Sequence, residues 1–119
     1  MLTVDDKFPI YKTQACFGNN KEDLKEISND YHAGKWAVYI FYPKDFTFIC
    51  PTELVEFGKK VNEFKDRDTL LIGGSTDNEY CHQAWRLSHK DLKDLPYPLL
   101  GAQKLAQDLG IIDPVANVC

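Results

Sequence analysis

The residues of this chain best suited to nucleophilic or redox chemistry are its four cysteines, Cys16, Cys50, Cys81 and Cys119. They are widely spaced and form no Cys-x-x-Cys pair, which excludes the usual zinc ribbon and the dithiol motif of a disulfide reductase. With no secretory signal in view, reduced thiols are the expectation, and at least one is free to work as a thiolate. Cys81 and His82 are adjacent, so on a helix they do not face each other, which gives a metal or Cys–His protease reading little weight. Cys81 and Cys16 read as packing residues. His32 and His89 read as surface residues.

Cys50 differs in its surroundings. It closes the segment Pro43-Lys44-Asp45-Phe46-Thr47-Phe48-Ile49-Cys50 and precedes Pro51-Thr52-Glu53. A thiol near a helix N-terminus meets unpaired backbone N–H groups and the positive end of the macrodipole, and both favour thiolate. Thr47 lies three residues earlier. With helical winding from near Phe46, its hydroxyl falls on the same face as the sulfur and can hydrogen-bond to thiolate or substrate. Pro43, apolar and without an N–H, helps wall the sulfur from bulk water.

The flanking elements are those that place a site in an α/β sheet. Trp36 to Tyr42 is a continuous apolar, β-branched and aromatic run, as in a strand buried on both faces, and Pro43 stops it. From Pro51, Leu54, Phe57, Val61 and Phe64 recur at helical spacing, and proline is favourable in a first helical turn. Thr69 to Ile72 reads as a second strand, ended by Gly73-Gly74. Asp77 or Asn78 caps a helix from about Glu79 to Lys90 that contains Trp85. Leu99-Leu100 reads as a short third strand. Gln103 to Leu109 reads as a short helix closed by Gly110. Upstream, Phe8 to Tyr11 suggests a β-ribbon before the turn at Gly18-Asn19-Asn20, and Lys21 to Tyr31 reads as loop or short helix. The order β-α-β-α-β-α calls for a sheet that is at least partly parallel, with crossover helices.

Pro43-x-x-x-Thr47-x-x-Cys50 resembles the peroxidatic motif of the peroxiredoxins. Its flanks, Phe41-Tyr42 and Pro51-Thr52-Glu53, resemble the alkyl hydroperoxide reductase C branch. Further resemblance lies in Gly74 to Glu79 with His82-Gln83-Ala84-Trp85, and in Leu95-Pro96-Tyr97-Pro98-Leu99-Leu100, so that it covers most of the chain. The resemblance implies a thioredoxin-like three-layer α/β sandwich, shortened here at its C-terminal end, as a single domain over residues 1–119. It implies thiol peroxidase activity: Cys50 attacks hydrogen peroxide or an alkyl hydroperoxide and becomes a sulfenic acid. A second thiol then condenses with it, and an external thiol or disulfide reductant reopens the disulfide. Pro43 and Thr47 shape the pocket, Glu53 holds local hydrogen bonds, Trp85 lines the site and Arg86 supports it. Arg86 does not match the family's peroxide-polarising arginine, which belongs to a strand beyond Cys119. Cys119 is a candidate resolving thiol, although the family's resolving cysteine also falls in that later region. No metal, haem or flavin is implied, and a homodimer or higher oligomer is. The alternative is an impaired, shortened domain that acts only by self-association. A disulfide reductase would need a second thiol where Glu53 stands.

Composition is compatible with this reading. Apolar residues make up 44% and charged residues 27%, ordinary for a folded domain. The net charge of −4 disfavours nucleic acid as a partner. The run Trp36 to Tyr42 is far too short to span a bilayer. Met1 to Asp6 has neither a basic flank nor an apolar signal core, so a cytoplasmic protein is expected.

Overall fold

The computed structural model describes residues 4–18, 20–46 and 50–112, with the backbone alone at Lys21, Cys50 and Pro51. Its centre is a five-stranded mixed sheet in the order β2-β1-β5-β4-β3. The strands are β1 (Lys12–Cys16), β2 (Leu24–Ser28), β3 (Trp36–Phe41), β4 (Thr69–Ser75) and β5 (Leu99–Gly101). β3, β4 and β5 are parallel neighbours, whereas β1 is antiparallel to both β2 and β5. Helices α1 (Cys50–Lys59) and α2 (Val61–Lys65) connect β3 to β4. Helix α3 (Glu79–Ser88) connects β4 to β5, and α4 (Gln103–Leu109) follows.

Alternation along the strands gives the sheet two apolar faces. On one, Val38, Ile40, Leu71 and Leu99 pack with Leu54 of α1, Val61 and Phe64 of α2, and Trp85 of α3. On the other, Tyr39, Phe41, Ile72 and Leu100 pack with Tyr11, Ile27 and Leu105 of α4. Helices thus cover both faces, the three-layer arrangement that the family resemblance implies.

The predicted caps form. Asn78 accepts a hydrogen bond from the Cys81 amide at 2.9 Å. Gly110 sits at φ 74, and the amides of Gly110 and Ile111 bond back to Gln107 and Ala106 in the Schellman pattern.

Four expectations need correction. First, β3 is less buried than the strand buried on both faces that its apolar run suggests. Among the described residues it is a sheet edge, its side chains are half-buried, and Trp36 is 76% exposed. Its apolar run reflects cover on both faces, which says nothing about the edge. Second, Gly73 and Gly74 do not end β4. The strand runs on through Ser75, because these glycines answer a close approach and not a turn. A Cβ on Gly73 would lie 2.7 Å from Leu99 Cδ2 and 3.3 Å from Tyr97 Cε2. Third, the helix after Cys50 is broken at Lys60 into α1 and α2. Fourth, the ribbon does not precede the Gly18–Asn20 turn but straddles it, and β2 lies in the stretch read as loop or helix. In β2 only Ile27 is buried, so the apolar alternation that would have marked a strand is nearly absent.

Candidate active site

β3 ends at Phe41, and α1 begins at Cys50. The connection lies at the carboxyl ends of the parallel strands, where α/β sheets build their sites. Cys50 is therefore the first residue of a ten-residue helix, with the acidic Glu53 in its first turn. Phe46 itself adopts the left-handed φ of 62 and is not helical. Thr47 itself, like Cys119, lies outside the described residues. Pro43 is exposed in the loop, and Glu53 is exposed on α1.

The loop from Tyr42 to Phe46 is tied down by buried polar contacts. The Tyr42 amide donates to Gly74 O at 3.0 Å, extending the parallel ladder by one bond. The Tyr42 hydroxyl donates to Asp45 Oδ1 at 2.6 Å. Asp45 Oδ2 lies 2.7 Å from His82 Nδ1, and both side chains are wholly buried. His82 Nε2 lies 2.6 Å from Leu100 O in β5. A second carboxylate secures the backbone: Asp77 Oδ2 accepts from the Asp45 amide at 2.7 Å and from Ser75 Oγ at 2.7 Å. Burial first, then the neighbouring Asp45 charge, pushes the Tyr42 hydroxyl well above the usual tyrosine range, so it remains a proton donor.

Trp85 is buried, with its ring 5.6 Å from Tyr42 and 6.3 Å from Phe46. It is a core residue, and what it packs against is the loop leading to Cys50. Arg86 is also buried, and its guanidinium donates to Cys16 O, Tyr97 O and Leu95 O at 3.2, 3.2 and 2.6 Å. That makes it a clamp on three backbone segments. Its Nε has no partner among the described residues.

The other described cysteines are poor nucleophiles. Cys16 is fully buried and donates to Gly18 O at 3.0 Å; burial raises its pKa above the ordinary thiol range. Cys81 is half-buried. Burial first, then the Asp45 and Asp77 charges, pushes its thiol up to about 12. Ligand atoms of Asp45, Asp77 and Cys81 lie within 4.8 Å of one another. Their carboxylates already accept from Tyr42, Ser75, the Asp45 amide and the Cys81 thiol, which accounts for the cluster without an ion. His32 is not a plain surface residue, since its Nε2 lies 2.9 Å from the Tyr39 hydroxyl.

Sequence reasoning singled out Cys50, Thr47 and Pro43 but missed the roles of Tyr42, Asp45, Asp77 and His82. The one signal available was that His82 and Trp85 share a helix face at i, i+3 spacing. Nothing local linked His82 to Asp45, 37 residues away in the chain.

The sheet, its helical layers and a cysteine at a strand-to-helix junction define a thioredoxin-like α/β protein. The family model described as AhpC/TSA matches residues 4–119, and the chain belongs to that family. Alkyl hydroperoxide reductase C of Mycobacterium tuberculosis (strain ATCC 25618 / H37Rv) is 44% identical over 95% of this chain and 64% of its own length. The protein of the same name from Mycolicibacterium smegmatis is 45% identical over 87% of this chain and 58% of its own. Among solved structures, Mycobacterium tuberculosis AhpC superposes with a TM-score of 0.88 at 40% identity, covering 97% of this chain and 71% of that one. Enterococcus faecalis AhpC gives a TM-score of 0.91 at 26% identity, covering all of this chain and 71% of that one. The chain thus spans just under two thirds of the length of the Mycobacterium tuberculosis relative.

Proposed function

We propose that this chain carries the peroxide-reducing centre of a thiol peroxidase, with Cys50 as the attacking residue. The observation that carries the reading is the place of Cys50 at the start of α1, the helix that follows β3. Helix N–H groups there favour the thiolate over the thiol. The thiolate attacks one oxygen of a hydrogen peroxide or alkyl hydroperoxide, forming an S–O bond as the O–O bond breaks. The departing oxygen takes a proton and leaves as water or an alcohol, and Cys50 becomes a sulfenic acid. A second thiol displaces the sulfenic hydroxyl as water to give a disulfide, and an external thiol or disulfide reductant returns both sulfurs to thiols.

Pro43 and Thr47 shape the peroxide pocket in this reading, Glu53 and Trp85 support its frame, and Arg86 supports it from the core. Burial of Cys16 and the raised pKa of Cys81 argue against either as the resolving thiol, which leaves Cys119 as the candidate within the chain. The similarity to alkyl hydroperoxide reductase C supports a cytoplasmic protein that works as a homodimer or larger assembly. No described helix is long and apolar enough to cross a membrane.

Intact mass after one equivalent of hydrogen peroxide, with a sulfenic-acid trap present, tests the proposal. A trap adduct or disulfide that forms in wild type and is lost in Cys50→Ser supports it. A folded protein that takes up no oxygen within minutes refutes it. The similarity to alkyl hydroperoxide reductase C does not favour the second reading, in which the chain acts only by self-association. Mass that rises with concentration, without peroxide consumption, would select that reading.

A further inference from the structure

We propose that Tyr42, Asp45 and His82 are positioning residues: a buried hydrogen-bonded relay that fixes the loop after β3 and, through it, the place of Cys50 at the start of α1. The inference rests on the reading of Cys50 as the reacting thiol.

The hydrogen positions follow from the partners. Leu100 O can only accept, so His82 Nε2 carries a proton and donates it across 2.6 Å. Asp45 Oδ1 is taken by the Tyr42 hydroxyl at 2.6 Å. Asp45 Oδ2 and His82 Nδ1, 2.7 Å apart, then need one proton between them, since two lone pairs at that distance repel. The pair holds that proton whether it is written as imidazolium and carboxylate or as imidazole and carboxylic acid. Its net charge is zero either way, and every polar atom of both side chains is engaged. Such a closed set is tolerated in a core, whereas removing one member strands the others without partners.

The relay joins three elements that are remote in sequence. Tyr42 stands at the end of β3, His82 is in α3 and Leu100 is in β5. Asp45, in the loop, touches the first two, and its amide is bound by Asp77 just after β4. The next residue, Phe46, is held at φ 62, a conformation unfavourable for an aromatic residue unless its surroundings impose it. The anchor therefore lies immediately before the segment that delivers Cys50. A reacting atom held only loosely loses rate steeply, and a displacement of about 1 Å can cost roughly a hundredfold.

The variants Asp45→Ala, Asp45→Asn and Tyr42→Phe test this, read by the rate of Cys50 alkylation with iodoacetamide and by its sulfenic-acid formation. Asparagine can accept from Tyr42 and donate to His82 Nδ1, so it rebuilds the bonds without the shared proton. Asp45→Ala is expected to slow both reactions about tenfold or more, with Asp45→Asn within about threefold of wild type. A folded Asp45→Ala at the wild-type rate overturns the proposal, as does an Asp45→Asn as slow as the alanine variant. Should Asp45→Ala fail to fold, Tyr42→Phe decides. It keeps the ring against Trp85 and loses the hydroxyl's contacts with Asp45 Oδ1 and His82 Nδ1, and an unchanged Cys50 rate in that variant also overturns the idea. Alkylation needs no peroxide, so the inference is decided even if wild type proves inert to peroxide, a result that would refute the peroxidase reading alone.

Discussion

The Tyr97 hydroxyl donates a 2.6 Å hydrogen bond to the backbone carbonyl of Leu54, one turn into the helix that Cys50 begins. Tyr97 stands just before β5, so this bond fastens the strand's approach to the helix carrying the site. The phenol is buried, and that burial drives its pKa upward, which keeps the donor protonated. Tyr97→Phe retains the packing and deletes the bond. It should cost about 1 kcal/mol and lower Tm by about 4 °C in a thermal melt followed by circular dichroism. An unchanged melt would mean that the bond contributes nothing net.

Arg86 gives a harsher prediction. Its guanidinium is the donor for Cys16 O, Leu95 O and Tyr97 O, all in buried surroundings. Arg86→Met fills a similar volume but strands those carbonyls. Urea unfolding should show a loss of about 3 kcal/mol or more. Arg86→Lys should recover only a fraction, because one ammonium cannot span what the planar fork reaches. A lysine variant as stable as wild type would contradict the clamp.

How much of this was legible in the sequence depended on range. Asn78 and Gly110 announced helix ends, since a cap acts within four residues. Of the apolar positions at helical spacing, Leu54, Val61 and Phe64 pack onto the sheet, whereas Phe57 is exposed. Cys50 stood out because its motif is contiguous. β2 was missed because Lys25 and Glu26 face solvent and leave Ile27 as its one buried residue. Gly73 was misread as a terminator because glycine marks turns and close contacts alike, and only the neighbouring Leu99 tells them apart. The Asp45–His82 pair was invisible because a contact between a loop and a helix 37 residues apart leaves no local trace.

Gly73 offers a direct test of that close contact. In Gly73→Ala the new methyl meets Leu99 Cδ2 at 2.7 Å, with Tyr97 Cε2 at 3.3 Å beside it. The variant should lose about 1–3 kcal/mol in urea unfolding, the usual cost of overpacking. Leu99→Ala removes the colliding atom and opens a cavity of its own. The double variant should therefore be more stable than the sum of the single losses predicts. Strict additivity would show that the two positions do not press on each other.

Cys81 and Cys16 should resist alkylation in the folded protein. Thiolate is the reacting form, and with the Cys81 thiol pushed up to about 12, only about one molecule in ten thousand is ionised at pH 8. Peptide mapping after brief iodoacetamide treatment at pH 8 should find Cys50 modified well ahead of both, with Cys16 and Cys81 reacting once urea unfolds the chain. The same shift fixes the sign of a pH effect on stability. Between the ordinary thiol value of 9.0 and about 12, the folded chain holds a proton on Cys81 that the unfolded chain has lost. More protons are then bound in the native state, so unfolding free energy falls as pH rises through that window. The buried Tyr42 and Tyr97 hydroxyls, also shifted upward, act in the same direction at higher pH. Urea midpoints measured from pH 8 to 11 should decline steadily, and Cys81→Ser should flatten the decline near its onset. A midpoint that stays level in wild type would show that burial and the Asp45 and Asp77 carboxylates do not hold the Cys81 proton in place.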